Sequence, residues 1–145
     1  MSNGKIKLLI ASTIDYCVPD VKGGAFATHV YNLVKCNELK DKFDITVLSM
    51  FDEKAEEESR QYSRSKFVYV KVDGVKEQRY KSCKLIGLLN RISFKISGVI
   101  FIPAPRVRAA YQKVKAGKFD FIFGAGGDPS EYGWFTRKFG RDKMV

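Results

Sequence analysis

Ile6-Lys7-Leu8-Leu9-Ile10-Ala11-Ser12, a loop that closes on Gly23-Gly24, and a helical pattern from Ala25 onward decide the fold of this 145-residue chain. An apolar run this dense predicts a strand with protein on both faces, as in parallel sheets. A glycine pair at the opening of the next helix lets backbone N–H groups approach an anionic or sugar ligand with no side chain between. The unit therefore reads as the ligand-facing turn of a doubly wound α/β domain. It is a binding turn and not by itself a reaction.

The first helix places Phe26, Val30, Leu33 and Val34 on one stripe, with Thr28, Asn32, Lys35 and Glu38 facing away. Residues 43–50 (FDITVLSM) follow as a β-branched strand. Strand–helix–strand order implies a right-handed parallel crossover. Residues 52–60 are acidic and predict a short solvated helix or loop, and residues 66–72 a third strand. A longer helical pattern, one helix or two, fills 80–101 until Pro103 and Pro105 interrupt it. A helix over 107–116 ends at Gly117. Residues 119–125 predict a fourth buried strand, followed by a second glycine turn at Gly126-Gly127. Asp128 then reads as an N-cap, with Pro129 in the first helical position and Glu131 completing a capping box. Tyr132, Phe135 and Phe139 give that helix its apolar stripe, and a fifth strand is expected to begin at Lys143. The expected fold is α/β: one Rossmann-like, doubly wound parallel sheet over 1–145, in strand order 3-2-1-4-5. Because the chain stops at the start of that fifth strand, it reads as part of a larger protein.

Composition narrows the function. A hydrophobic fraction of 45% excludes general disorder. No apolar run is long enough to cross a bilayer, and no cleavable leader is expected ahead of the first strand. Cys17, Cys36 and Cys83 are odd in number and lack C-x-x-C spacing, so neither zinc nor a disulfide framework is expected and a reducing cytoplasm is the simplest setting. The net charge of +10 is concentrated in the middle of the chain. Residues 60–118 carry fifteen Lys/Arg against two acids, whereas 1–59 carry seven against ten. Such a segment marks a surface for an anionic partner, or else a solvated lysine-rich face.

Ligands of an open doubly wound sheet bind outside the carboxyl ends of the strands, where the strand order reverses. In the expected order, strands one and four straddle that point. Gly23-Gly24 and Gly126-Gly127 would flank one crevice, each leading into a positively polarised helix N-terminus. Residues 12–24 contain neither G-x-G-x-x-G nor a Gly-Lys-Ser/Thr, so no nicotinamide or ATP cofactor is expected. His29, the only histidine, lies about 60° off the apolar stripe at ~100° per residue. It reads either as a hydrogen-bonding group beside the glycine turn or as a flank residue satisfied by neighbours. Asp15, Asp20 and Asp128 fall in the crevice loops and suit sugar hydroxyls or a base role, although capping already explains Asp128. One histidine allows no nucleophile–base–acid set.

Residues 80–101 carry a second signal. Leu85, Leu88, Leu89, Ile92, Ile96, Val99 and Ile100 share one helical face, bordered by Lys84, Arg91 and Lys95. Lysine stems beside an apolar face suit a membrane interface, and the same pattern suits a helix that covers a core.

Val18-Pro19, Gly23-Gly24, His29-Val30 and Asn32-Leu33, with Asp44-Ile45-Thr46-Val47-Leu48 and Phe119-Asp120-Phe121-Ile122, are similar to motifs of the N-terminal domain of family 4 glycosyltransferases of the GT-B fold. The resemblance covers nearly the whole chain but only that one domain. It implies an acceptor-binding half facing a C-terminal nucleotide-sugar domain that this sequence does not contain. By position, Gly23 and Gly24 would offer amides to the donor's phosphate or transferred sugar, while basic residues near Lys81, Lys84 and Arg91 would dock the membrane or acceptor. The family's usual catalytic histidine follows a strand that would begin around Lys143, so the chain alone is expected to be inactive. Substrate contacts are expected from Gly23, Gly24, His29, Gly126, Gly127 and Asp128, and membrane or acceptor docking from Lys81, Lys84, Arg91 and Lys95. The expected partners are a lipid-linked or saccharide acceptor and an anionic membrane surface, with nucleotide-sugar bound only alongside the C-terminal domain. No nucleic acid is expected, since no recognisable motif accompanies the charge. The alternative is a non-catalytic membrane-surface or partner-docking module, half of a split transferase. The expected location is the cytoplasm, including the inner face of the plasma membrane.

Overall fold

Leu9 and Ile10 are neighbours in the chain and both are 0% exposed. Successive strand side chains point to opposite faces, so that pair requires a strand covered on both sides. The computed structural model describes residues 4–12, 16–125 and 129–143 and places this strand inside a four-stranded, all-parallel sheet. The strands are β1 (Ile6–Ser12), β2 (Phe43–Met50), β3 (Ser65–Val70) and β4 (Phe121–Ala125), in the order β3-β2-β1-β4. Leu8 pairs with Ile45 on one side and Phe121 on the other; Ile10 pairs with Val47 and Phe123.

Helices follow the strands: α1 (Ala25–Lys40), α2 (Glu53–Ser59), α3 (Gly74–Ser82), α4 (Lys84–Ser97), α5 (Pro105–Val114) and α6 (Pro129–Phe139), with a final 3-10 turn at Arg141–Lys143. The β1-to-β2 and β3-to-β4 crossings run in opposite directions across the sheet. A constant crossover hand then puts their helices on opposite faces. Ala27, Val30 and Val34 of α1 pack with Ile10, Ile45 and Val47 on one face. Val107, Ala110 and Val114 of α5 and Phe135 of α6 pack with Leu9, Ala11, Leu48 and Ile122 on the other. The chain is thus α/β, a parallel sheet flanked by helices in a Rossmann-like arrangement, with β1 and β4 adjacent as expected.

Several boundaries differ from the sequence reading. The buried stripe of α1 is Ala27, Val30, Val34 and Asn37, while Phe26 is 53% exposed and Leu33 lies on its open flank. A small residue faces the strands where the helix rests on the sheet, and Phe26 is turned aside. The third strand stops at Val70 because Asp73 begins a helix, its carboxylate accepting from Lys76 N at 3.2 Å. The 80–101 pattern is two helices broken at Cys83, whose extended backbone ends α3. Lys143 closes a 3-10 turn, and the remainder of the expected fifth strand lies outside the described residues.

Asn37 is 4% exposed, and its side chain meets the backbone of Phe43 twice: Phe43 N donates to Oδ1 and Nδ2 donates to Phe43 O, both at 3.0 Å. This clamp fixes where the α1–β2 turn delivers β2 into register. Asn37→Ala removes both bonds at a partly buried site and should cost roughly 2 kcal/mol in urea unfolding. A loss below about 0.5 kcal/mol, the range of ordinary surface changes, would show that the clamp carries no weight.

Candidate functional site

The crevice loop after β1 is held from below by the sheet. Val18 N donates to Ser49 Oγ at 2.7 Å, and Met50 N donates to Tyr16 O at 3.1 Å. The Tyr69 hydroxyl reaches from β3 to Val18 O at 3.0 Å and Ala55 O at 2.8 Å. Burial pushes that hydroxyl up to about 12. The Val18–Pro19 peptide bond is cis. Further on, Lys22 Nζ meets Asp52 Oδ2 at 2.6 Å, and Thr28 Oγ1 donates to Asp20. Asp52 also caps α2, accepting from Lys54 N and Ala55 N.

The loop ends at the glycine pair, and the two glycines are not equivalent. Gly23 has φ +79°, which strains any side-chain-bearing residue, and nothing lies within 4 Å of where a Cβ would stand. Gly24 is extended and caps α1 with no side-chain hydrogen bond. The first turn of α1 holds no acidic residue, so its leading N–H groups keep their positive end open. That end can accept a phosphate or sugar oxygen. A depression of about 440 Å³ borders the loop, lined by Val21, Lys22, Phe51, Asp52, Glu53 and Lys54. A broader one of about 670 Å³ follows the outer edge of β3, past Lys66, Tyr69, Lys71 and Lys113. It is an open trough on a strand edge, away from the β1/β4 rim where the sheet's polarity and helix termini converge, so the rim is the stronger candidate.

On the β4 side, the Tyr132 hydroxyl of α6 donates to Ala11 O at 3.2 Å, binding that helix to the end of β1. Gly126, Gly127, Asp128 and Asp15 lie outside the described residues. Adjacency of β1 and β4 pairs Ser12 with Ala125, so the strand ends that precede the two glycine pairs share one rim. His29 is exposed on α1 and makes no hydrogen bond among the described residues. Among the described residues no group of three or more His, Cys, Asp and Glu gathers as a metal site.

Lys81, Lys84, Arg91 and Lys95 are all exposed, on α3 and α4 and not at the glycine turn. α4 buries none of its residues. Its contact with the body is polar. Ile102 N donates to Asn90 Oδ1 at 2.8 Å, and Asn90 Nδ2 donates to Ile102 O at 2.7 Å. Ser93 Oγ donates to Val99 O at 2.8 Å. Leu85, Leu88, Leu89, Ile92 and Ile96 all face solvent. The core-covering reading is corrected for α4, whose apolar side points away from the core, while Val99 and Ile100 of the expected face lie past its end and Ile100 is buried. No helix is long and apolar enough to cross a membrane among the described residues.

Sequence reasoning missed Ser49, Tyr69 and Tyr132 as supports, because each acts across strands that only the fold brings together. Asn90 carried a signal, as its amide lies opposite the Leu/Ile arc of the helix. Comparison with protein-family models, curated proteins and solved structures returns no match for this chain.

Two outcomes test this frame. Tyr69→Phe removes the tie to Val18 and should cost about 1 kcal/mol, with faster amide exchange across residues 16–24 than at α5. Equal exchange in both segments would detach Tyr69 from the loop. The hydrogen bond and charge of Lys22 hold the Asp52 carboxyl below its ordinary 3.8. That stabilisation is present above the ordinary carboxylate range and lost as pH falls through the depressed value. Thermal melting below pH ~4 should fall more steeply for the native chain than for Asp52→Asn, and high salt should narrow the gap. Parallel acid limbs would remove the ion pair from the loop's support.

Proposed function

We propose that the chain is the acceptor-side domain of a GT-B glycosyltransferase, moving a sugar from a nucleotide-sugar to a membrane-associated or polysaccharide acceptor. The observation that carries this reading is the open α1 N-terminus behind Gly23-Gly24, set at the β1/β4 switch point of a parallel sheet. A glycine-led helix end with no side-chain cap and no acid within its own first turn, its one neighbouring carboxylate, Asp20, engaged by Thr28, favours a diphosphate or sugar-phosphate oxygen over a cation. The polar loop around it, held by Ser49, Tyr69 and Asp52, gives that end a fixed position.

The chemistry is metal-independent displacement at the anomeric carbon. An acceptor hydroxyl attacks, the bond to the diphosphate breaks, and helix-end amides stabilise the charge that develops on the leaving group. The nucleotide is bound by the C-terminal domain of such enzymes, so this domain holds the sugar and phosphate end only. α6 packs on the α5 face, the side a crossover from β4 to a strand on its free edge would use, which agrees with the 3-2-1-4-5 order of that fold. A non-catalytic docking module is the second reading, favoured by the solvent-facing apolar side of α4.

Backbone NMR of the 145-residue chain separates the two. Titration with a saccharide diphosphate should shift the amides of Gly23, Gly24, Ala25 and Phe26 with millimolar affinity. Gly23→Val, strained at its positive φ, should weaken that response severalfold. Calorimetry with nucleotide-sugars should show no submicromolar site. Absence of shifts at these four amides supports the docking module, and submicromolar nucleotide-sugar binding overturns the division of labour between domains.

A further inference from the structure

We propose that α4 is an interface-lying helix whose outward face docks on an anionic phospholipid bilayer. The inference rests on α4 and its neighbours and stands whether or not the glycine turn binds sugar-phosphate.

An amphipathic helix of a globular domain normally turns its apolar side inward. α4 does the reverse. Asn90 and Ser93 face the body and are half-buried there, held by hydrogen bonds to the 99–102 segment. The opposite side, an arc of roughly 100°, holds Leu88, Ile92, Leu85, Ile96 and Leu89. Their exposures run from 39% at Leu89 to 82% at Ile96. An arc of five such side chains is a contiguous apolar patch, a feature that marks an interaction surface.

Charge identifies the occupant. Lys84, Arg91 and Lys95 line one border of the arc, and Lys81 at the end of α3 adds a fourth cation. All four are exposed, and none forms an ion pair among the described residues. α4 itself contains no acid, and the whole of 60–118 contains only Asp73 and Glu77. Glu77 is buried against Arg106, 3.0 Å from its guanidinium, and Asp73 is paired with Lys76, so neither offsets the stripe. An apolar arc with cations along its edge matches an acyl boundary beneath anionic headgroups. A second copy fits poorly, because a two-fold contact through this face sets like charges against each other.

Gly133 of α6 packs against Gly98 and Val99, just past the C-terminal end of α4, where an added Cβ would stand 3.5 Å from Gly98 O. The adjoining Tyr132 reaches Ala11 at the end of β1. The C-terminal end of α4 therefore meets α6, which in turn is tied to the carboxyl end of β1.

Vesicle sedimentation of the full chain tests the proposal, using phosphatidylcholine alone and phosphatidylcholine with one-third phosphatidylglycerol, at low and high salt. Binding should need the anionic lipid and weaken with salt. Each cation near an anionic leaflet contributes about fivefold, so Lys84→Gln, Arg91→Gln and Lys95→Gln together should lower the partition by about 100-fold. Leu88→Glu with Ile92→Glu should abolish it, with unchanged circular dichroism because both positions are exposed. Leu88→Trp should be quenched by lipids brominated near the headgroup. Equal binding to both vesicles, no binding to either, or a concentration-dependent dimer that Leu88→Glu with Ile92→Glu dissolves would each overturn it, the last in favour of a second copy.

Discussion

The burial of β1 on both faces is the constraint from which the rest of the structure descends. Leu9 and Ile10 leave no face for water, so one strand must be flanked by two others and roofed by helices above and below. Only crossings in opposite directions meet that demand with a fixed crossover hand, and they make β1 and β4 neighbours. That adjacency opens a gap at the carboxyl rim, since the helices that follow β1 and β4 leave to opposite sides of the sheet. The candidate crevice is thus a by-product of how the core is closed.

What occupies the rim is shaped by modest interactions acting together. Ser49, Tyr69 and Asp52 come from β2, β3 and the cap of α2; the first two hold the N–H and C=O of Val18, and Asp52 holds Lys22 further along the 16–24 loop. Singly these contribute little, because exposed ion pairs and neutral hydrogen bonds are worth about 1 kcal/mol or less. Jointly they hold the loop against the start of α1, where the Tyr16 ring lies beside Gly24 and Asp20 accepts from Thr28.

α4 follows a different economy. Burial of a leucine or isoleucine is worth roughly 1.5–3 kcal/mol, and this helix forgoes that gain at five positions. It is held instead by the two bonds of Asn90 to Ile102 and those of Ser93 and Ser97 to Val99. Hydrogen bonding inward and apolar outward is the reverse of the usual surface helix of a globular domain.

The sequence by itself determined the elements and their order. β1, β2 and β4 were legible because apolar density and β-branching are local. The helix expected over 107–116 instead opens at Pro105, whose missing donor suits a first helical position. It ends at Val114, short of Gly117, which has no positive φ. The glycine pair at 23–24 was legible as a turn, and Gly23 does need its positive φ. Tertiary structure decided which faces are covered. Helical spacing showed that residues 85–96 have an apolar face, yet only the packing of Asn90 turns that face outward. The stripe of α1 likewise rotated from Phe26 and Leu33 to Ala27 and Asn37, because the distance between helix and sheet, not hydropathy, selects the contacting side chain. Periodicity is a property of one segment; burial belongs to pairs of segments, and a pair exists only once the chain has folded.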